Sequence, residues 1–338
     1  MGLDAGDFLG RLPAPPSESE GTLLVASADG KGVPLVKEDA ERVAAFETAK
    51  KRPGNRRMAT VASVYSVAPH VRTAEEITAA LFRDEPDETT HPPKRPRPQN
   101  KNTTAHFTET CDNGDGTELS VSGIHVAMAW IIGQITLRRR ANQVLIVLMD
   151  GQRSLWETIQ LHLSFGIRTV PILDILHALT YVWKAAALFE RDESGRKAFT
   201  RKRLLRILRG EVRGVVRGLR RLGSLRGFSG KAAKDLARIC DYLDTNADRM
   251  RYDEYLRRGY PIASGVIEGA CRHLVKDRME RSGMRWTLEG ARSMLNVRAA
   301  FQSDHWEAFL ADRIAKETKR LHRHRNLVAH YHPLTLAC

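Results

Sequence analysis

Residues 143–151 read QVLIVLMDG. The run Gln143 to Met149 (QVLIVLM), all but its first residue large and apolar, leaves no polar face for water and breaks at the turn-forming pair Asp150-Gly151. A run this short and continuous reads as a strand buried on both faces, in the middle of a sheet covered by helices. Three further runs fit the same sheet. Residues 22–28 (TLLVASA) stop at Asp29-Gly30, and residues 58–67 (MATVASVYSV) are rich in β-branched side chains. Residues 167–172 (IRTVPI) are a weaker candidate, because Pro171 suits an edge strand or a strand end.

Beyond these strands the pattern changes. From about 175 to 256 the apolar spacing is helical, so the first half is mixed α/β and the second half helical and basic. The 338 residues amount to roughly two domains of about 150 residues, or one large domain with an insertion. Lys and Arg number 54 against 40 Asp and Glu, a net charge of +14, which suggests a polyanionic partner. The excess is concentrated. Residues 196–231 hold 13 Lys/Arg and one acid, Glu211. Leu204, Leu205, Leu208, Val212, Val215, Val216 and Leu219 recur there at helical spacing, which predicts one or two amphipathic helices with an arginine-covered outer face. Gly210, Gly214 and Gly218 allow a break or close helix packing. Nucleic-acid contact through Arg203, Arg206, Arg209, Arg213, Arg217 and Arg220 is the favoured role; a solvated charged face and a membrane-surface helix are the alternatives.

Other segments bound the possibilities. Residues 84–105, with five prolines and almost no large apolar side chain, read as a loop, and the PxxP-like run Pro93–Pro98 as part of it. Residues 119–137 carry no Asp, Glu, Lys or Arg, but Ser120, Ser122, His125 and Gln134 favour a buried helix over a membrane span. Residues 1–21 read as a tail with no signal-peptide pattern. Cys111, Cys240, Cys271 and Cys338 show neither a disulfide framework nor a CxxC spacing, which fits a reducing cytoplasm. His322, His324, His330 and His332 lack an Asp or Cys partner at metal-ligand spacing and read as a solvated tail.

The acids suggest chemistry. Asp29 and Asp150 each follow an apolar strand, where sheets of this kind present functional side chains, although Asp is also a common turn residue. Glu268 lies in SGVIEGACRHLVK, where Ser264 is placed to cap a helix running to about Arg281. Ile267, Ala270, Cys271, Leu274 and Val275 form its apolar stripe, with Cys271 as packing. Glu268 sits at the stripe's edge, followed round the helix by Arg272 and Lys276. That setting suits a carboxylate holding a metal ion beside a phosphate backbone; the plain alternative is a surface ion pair with Arg272. Phosphodiester transfer needs attacking and leaving oxygens stabilised together, which two Mg²⁺ ions held by a few carboxylates achieve. Trp286 reads as core, with base stacking as the alternative.

With those residues in view, the chain resembles the DDE transposases of bacterial insertion sequences, and among them the ISKra-type family, distantly similar to Mutator-like transposases. The resemblance spans about residues 22–320. Its stretches are ADGKGVP (28–34), TVASVYSVAPHVRTAEEITAALFRD (60–84), LMDGQRSLW (148–156), LDILH (173–177) and, most specifically, RYDEYLRRGYPIASGVIEGACRHLVKDRMERSGMRW (251–286). It implies an RNase H-like mixed sheet flanked by helices, with an all-helical basic insertion before the last catalytic helix. The corresponding layout is a tail 1–21, core 22–177, insertion 178–256, core 257–320 and tail 321–338.

By motif match, Asp29, Asp150 and Glu268 are the catalytic and metal-holding acids for Mg²⁺ or Mn²⁺, two ions in all. Asp174 and His177 match an accessory D-x-x-H element; a capping Asp and a packing His are the alternative. The implied activity is strand cleavage and transfer on DNA, at element ends and target, by a nucleoid-associated, non-membrane protein that forms a homo-oligomer on DNA. Similar transposases carry a longer region before the first acid, so the sequence also suggests a shortened copy. The rival readings are an RNase H-like nuclease without strand transfer and a non-catalytic DNA-binding relic.

Overall fold

The computed structural model describes residues 1–45, 54–84, 94–112, 114, 118–163 and 168–321. The chain opens with α1 (Gly2–Gly10), β1 (Leu23–Pro34), α2 (Lys37–Ala45), β2 (Arg56–Val67), α3 (Ala74–Phe82) and β3 (Gln99–His106). A small antiparallel pair, β4 (Glu109–Asp112) and β5 (Glu118–Val121), leads into α4 (Gly123–Arg138). Next come β6 (Val144–Met149), α5 (Arg153–Leu163) and β7 (Thr169–Leu173). Helices α6 (Ile175–Phe189), α7 (Glu193–Leu208), α8 (Val212–Leu225), α9 (Gly230–Thr245) and α10 (Tyr252–Arg257) follow. The last stretch is α11 (Gly265–Ala270), a π-helical turn over Cys271–Lys276, α12 (Asp277–Met279), α13 (Leu288–Gln302) and α14 (Trp306–Leu321).

The main sheet is mixed, in the order β3-β2-β1-β6-β7. β3, β2 and β1 pair antiparallel, whereas β1, β6 and β7 run parallel. Alternate residues of each strand face opposite layers. Leu24, Ala26, Leu145, Val147 and Met149 face α4 and α5, where Met128, Ile131, Ile135, Trp156 and Ile159 cover them. Leu23, Val25, Ile146, Leu148 and Ile172 face the other way, into one apolar cluster that runs through α6–α10 and includes Leu204, Leu219 and Leu243. This double burial is why β6 reads as an uninterrupted apolar run. The far half of β1 and β2 packs through Val33, Ala59 and Val61 on α11–α13.

Several expectations change. β1 does not stop at Asp29-Gly30. β2 supplies backbone partners along its whole length, with Asp29 opposite Val61 and Gly30 opposite Thr60, so the strand continues to Pro34. Gly30 serves a close approach there: a Cβ on it would stand 2.7 Å from the Met58 methyl. Within 84–105, residues 99–106 form edge strand β3 and not loop, because backbone pairing with β2 outweighs the polar composition of QNKNTTAH; residues 85–93, including Pro93 of the PxxP-like run, lie outside the described residues. The segment read as a tail contains α1, whose Ala5 and Phe8 are buried against Ala300 and Phe309. Pro171 lies in edge strand β7, as its chemistry suggests. Residues 119–137 divide between β5 and α4, and no helix among the described residues is long and apolar enough to cross a membrane. His322, His324, His330, His332 and Cys338 lie outside the described residues, as does the side chain of Cys111.

Candidate active site

The parallel strands deliver the acids by register. β1 pairs with β6 from Leu23–Val144 to Ala26–Val147, and the same offset carried three residues on sets Asp29 level with Asp150. β6 pairs with β7 up to Met149–Leu173, and one residue further sets Asp150 level with Asp174. Asp150 and Asp29 keep the parity of Ile146 and Val25, on the sheet face toward α6–α10. Asp150 and Asp174 thus follow the C-terminal ends of β6 and β7, the edge where open α/β sheets bind ligands, and Asp29 stands level with them inside β1, just beyond the part of β1 that pairs with β6. The turn after β6 is held by Gln152 N–H, which donates to Asp150 Oδ1 at 2.9 Å, and by Trp156 Nε1, which donates to the Asp150 carbonyl at 2.6 Å.

Asp174 is fully buried and fully used. Its carboxylate caps α6 by accepting from Leu176 N–H at 3.1 Å, accepts from Ser264 N–H at 3.1 Å, and bonds His177 Nδ1 at 2.9 Å. Burial alone would raise its pKa, but those hydrogen bonds hold it below the usual carboxylate range. His177 is thereby fixed with Nε2 facing Asp150, 3.9 Å from Oδ2. Its pKa is raised, first by the bond to Asp174 and then by the charges of Asp174, Asp150 and Asp29, against the opposing effect of burial. Asp174 is thus the capping Asp of the plain alternative, and it also orients the His177 imidazole.

Glu268 joins this edge from α11, and the apolar stripe read beside it is buried in full. Ser264 stands at the N-cap, but its side chain makes no capping bond; its backbone N–H goes to Asp174 instead. The surface ion pair between Glu268 and Arg272 does not form. The π-helical turn begins at Cys271, and Arg272 Nε lies 3.8 Å from Asp277 Oδ1, five residues on. Cys271 is not packing alone, for its Sγ–H donates to Asp29 Oδ2 at 3.5 Å. Burial and the neighbouring Asp29 push its thiol pKa well up, so it stays protonated and donates. Another residue the sequence did not single out is Tyr242 of α9, which packs so tightly on Gly151 that a Cβ there would stand 2.3 Å from its ring. Tyr242 also stacks on Tyr181 at 3.6 Å. The helical insertion thus rests directly on the Asp150 turn.

The electrostatics suit a cation. Asp150 has a raised pKa, because of burial first and then the charges of Asp29 and Asp174, partly offset by Gln152 N–H and His177. Glu268 is raised as well, by partial desolvation first and then by the charges of Asp174 and Asp29, partly offset by His177 and Ser264. Neither they nor Asp29 pairs with a Lys or Arg among the described residues. Hard oxygen donors repelling one another without a cationic partner fit a divalent ion in their chemistry. In their present positions, no three or more His, Cys, Asp or Glu side chains among the described residues are arranged to hold one.

Searches of known protein families, curated proteins and solved structures find no match to this chain.

The basic helices differ from their expected role in detail. Gly210, at φ 82°, separates α7 from α8 as its chemistry allows. Four of the six arginines meet acids: Arg206 pairs with Glu211, Arg209 with Glu75, Arg213 with Asp248, and Arg220 with Asp241 and Asp244. Arg203 lies over the Phe199 ring and is half-buried, which lowers its pKa to about 10. Arg217 is exposed and pairs with no acid among the described residues, as is true of Lys276 near Glu268. Apart from Glu211, the acids come from α3, α9 and the turn after it, outside the basic run in sequence, which is why the run looked nearly uncompensated. Trp286 is half-buried and bridges β1 through backbone bonds to Pro34 and from Val36, so packing accounts for it.

Proposed function

We propose that the chain is a metal-dependent DNA strand-cleaving and strand-joining enzyme, a DDE transposase on an RNase H-like sheet. The observation that carries this reading is the row of Asp29, Asp150 and Asp174, level with one another across β1, β6 and β7, with Glu268 brought to it by α11. The strand order, with three antiparallel strands followed by two parallel ones and a helical insertion before the Glu268 helix, supports the RNase H-like assignment. Asp29, Asp150 and Glu268 would hold the divalent ions. When bound, such ions supply Lewis-acid stabilisation of the attacking and leaving oxygens of a phosphodiester.

The chain's own groups do the rest. Asp174 fixes the His177 ring, and His177 Nε2 holds a proton toward Asp150, which limits the mutual repulsion of the acids. Cys271 donates to one oxygen of Asp29 and leaves the other to Gly30 N–H and the site. Arg272 and Lys276, exposed on the turn after Glu268, approach phosphates, with Arg217 as the least encumbered cation of the basic helices.

The test is incubation of the chain with supercoiled plasmid and a free 3′-hydroxyl oligonucleotide in Mg²⁺ or Mn²⁺. Nicking and joining are expected, and both should vanish in Asp150→Asn and Glu268→Gln while DNA binding is kept or slightly tightened. Nicking without joining would make the protein a nuclease; intact activity in either variant would remove that acid from the mechanism.

A further inference from the structure

A second cluster of chemistry lies on the same side of the sheet, at the end of β2. Residues 68–72 run alongside residues 256–260: His70 N–H donates to the Gly259 carbonyl at 2.9 Å, and Arg72 N–H to that of Leu256 at 3.4 Å. The approach needs a glycine, since Gly259 has φ 71° and a Cβ on it would stand 2.5 Å from His70 N. Between this pair of segments, residues 95–98 and the start of α11 is a cavity of about 420 Å³. Its walls include His70, Arg72, Arg95, Arg97, Gly265 and Tyr65 of β2, and no Asp or Glu among the described residues lines it.

The cations are placed differently. Arg72 is half-buried, and its guanidinium is held by two carbonyls, with Nε donating to His70 O at 3.2 Å and Nη2 to Tyr260 O at 2.8 Å. Arg95 and Arg97 are exposed at the rim. The acid whose charge reaches Arg72 and His70 is Glu76, and its carboxylate is committed to Thr73 N–H at 2.6 Å in the cap of α3. Burial, with Arg72 and Arg95 nearby, lowers the His70 pKa, so His70 adds a neutral hydrogen-bonding ring at neutral pH. The charge of Arg72 is thus partly desolvated without an acid partner among the described residues, a state that an incoming anion relieves.

We infer that this pocket binds a phosphate group of the nucleic-acid strand on which the acidic site acts. The inference rests on the proposed function for its source of phosphate, and on the pocket itself for its chemistry. Two features tie it to a strand. Gly265 lines the pocket and Glu268 follows it on the same short helix. On β2, Tyr65 lies four residues from Val61, the partner of Asp29, or about 13 Å along the strand. A polynucleotide spans that gap in a few steps, with one phosphate among the arginines and another at the acids.

The experiment uses the full chain in two arms. Thermal melting with inorganic phosphate, against chloride at equal ionic strength, reads the pocket without DNA. Affinity for a duplex and for a single strand, measured across salt concentrations, reads the strand. The variants are Arg95→Gln with Arg97→Gln, whose rim side chains can be replaced without unfolding, and Arg72→Lys, which keeps the charge and removes the fork. Phosphate should raise the wild-type melting temperature, and the double variant should lose that shift. Its slope of log K against log salt should also fall by about 0.9, the loss expected when one duplex phosphate is no longer neutralised. Arg72→Lys should weaken phosphate binding while the chain still melts cooperatively.

No phosphate shift in the wild type overturns the pocket. A shift abolished in the double variant with an unchanged DNA slope overturns the strand as its source and leaves a small phosphorylated ligand. Wild-type chain that binds phosphate through these arginines but no DNA sinks the strand assignment together with the transposase reading. Normal DNA binding with a reduced slope in the double variant, but no cleavage by the wild type, supports the pocket and counts only against the proposed catalysis.

Discussion

His177 lies between two carboxylates, so its titration reports on the site's charge. Its folded pKa is raised above 6.5 by the bond to Asp174 and by the nearby acids. The protonated ring therefore stabilises the fold; that contribution is complete below about pH 6.5 and is lost as pH rises through the higher folded value. NMR should find the His177 midpoint above 6.5, moving down in Asp174→Asn. An unmoved midpoint would show that Asp174 does not control the ring. Under the proposed function, Asp174 would act through His177 and Ser264, so its Asn variant should lose roughly 10–100-fold in strand cleavage, as outer partners of metal-site residues do, whereas Asp150→Asn should abolish it. Asp150 has linkage of the same sign, although here it is the charged form that is disfavoured in the fold. Its raised pKa means that stability falls as pH rises from about 3.8 through the folded value. At neutral pH without metal, Asp150→Asn should melt above the wild type. Added Mg²⁺ should stabilise the wild type by about 2.7 kcal/mol at a hundred times its Kd, and the variant by much less. Equal shifts in both would place the ion elsewhere.

Among the elements, α7 and α8 separate formal charge from available charge. Exposed ion pairs contribute roughly 0–1 kcal/mol, so a polyanion can displace them, but each displaced acid stays nearby and offsets part of the gain. Arg217 has no acid to give up among the described residues, whereas Arg209 is held at 2.6 Å by Glu75. Arg217→Gln should flatten the salt slope of DNA binding by about 0.9, and Arg209→Gln by clearly less. Equal effects would mean that the ion pairs open freely on binding; no effect from either would return both helices to a solvated face. The π-helical turn is the other element with consequences. It breaks the spacing that would have paired Glu268 with Arg272, and leaves the carboxylate toward the acids and Arg272 toward Asp277.

At the scale of the molecule, the insertion is not a separate body on a tether. One apolar cluster joins β1, β2, β6 and β7 to α3 and α6–α10, and Tyr242 of α9 seats on Gly151 beside Asp150. Leu219→Ala, deep in α8 and fully buried, should cost about 2–5 kcal/mol. Because the core is shared, far-UV circular dichroism and the fluorescence of Trp156 and Trp183 should lose structure in one coincident transition. A variant in which the insertion melts first, with the strand signals unchanged, would show that the shared cluster does not couple them.

The sequence by itself determined what local pattern can encode. Residues 143–149 read as a strand buried on both faces and residues 175–256 as helical, because apolar period is a property of neighbours in the chain; that the break falls at Gly210, and not at Gly214 or Gly218, is left open by that pattern. Asp29, Asp150 and Glu268 were legible as candidates from their neighbours and from the resemblance to known transposases. Three outcomes were not legible. Polar QNKNTTAH became an edge strand because β2 offered it backbone partners, and β1 ran on past Asp29-Gly30 for the same reason. The arginines of 196–231 met acids from other elements, so net charge along the chain overstated net charge in space. The row of three acids depends on the register of β1, β6 and β7, and on Asp174 taking the Ser264 N–H from across the fold. Register and long-range hydrogen bonds are fixed only when distant segments meet, so tertiary structure alone decided which candidate residues share a site.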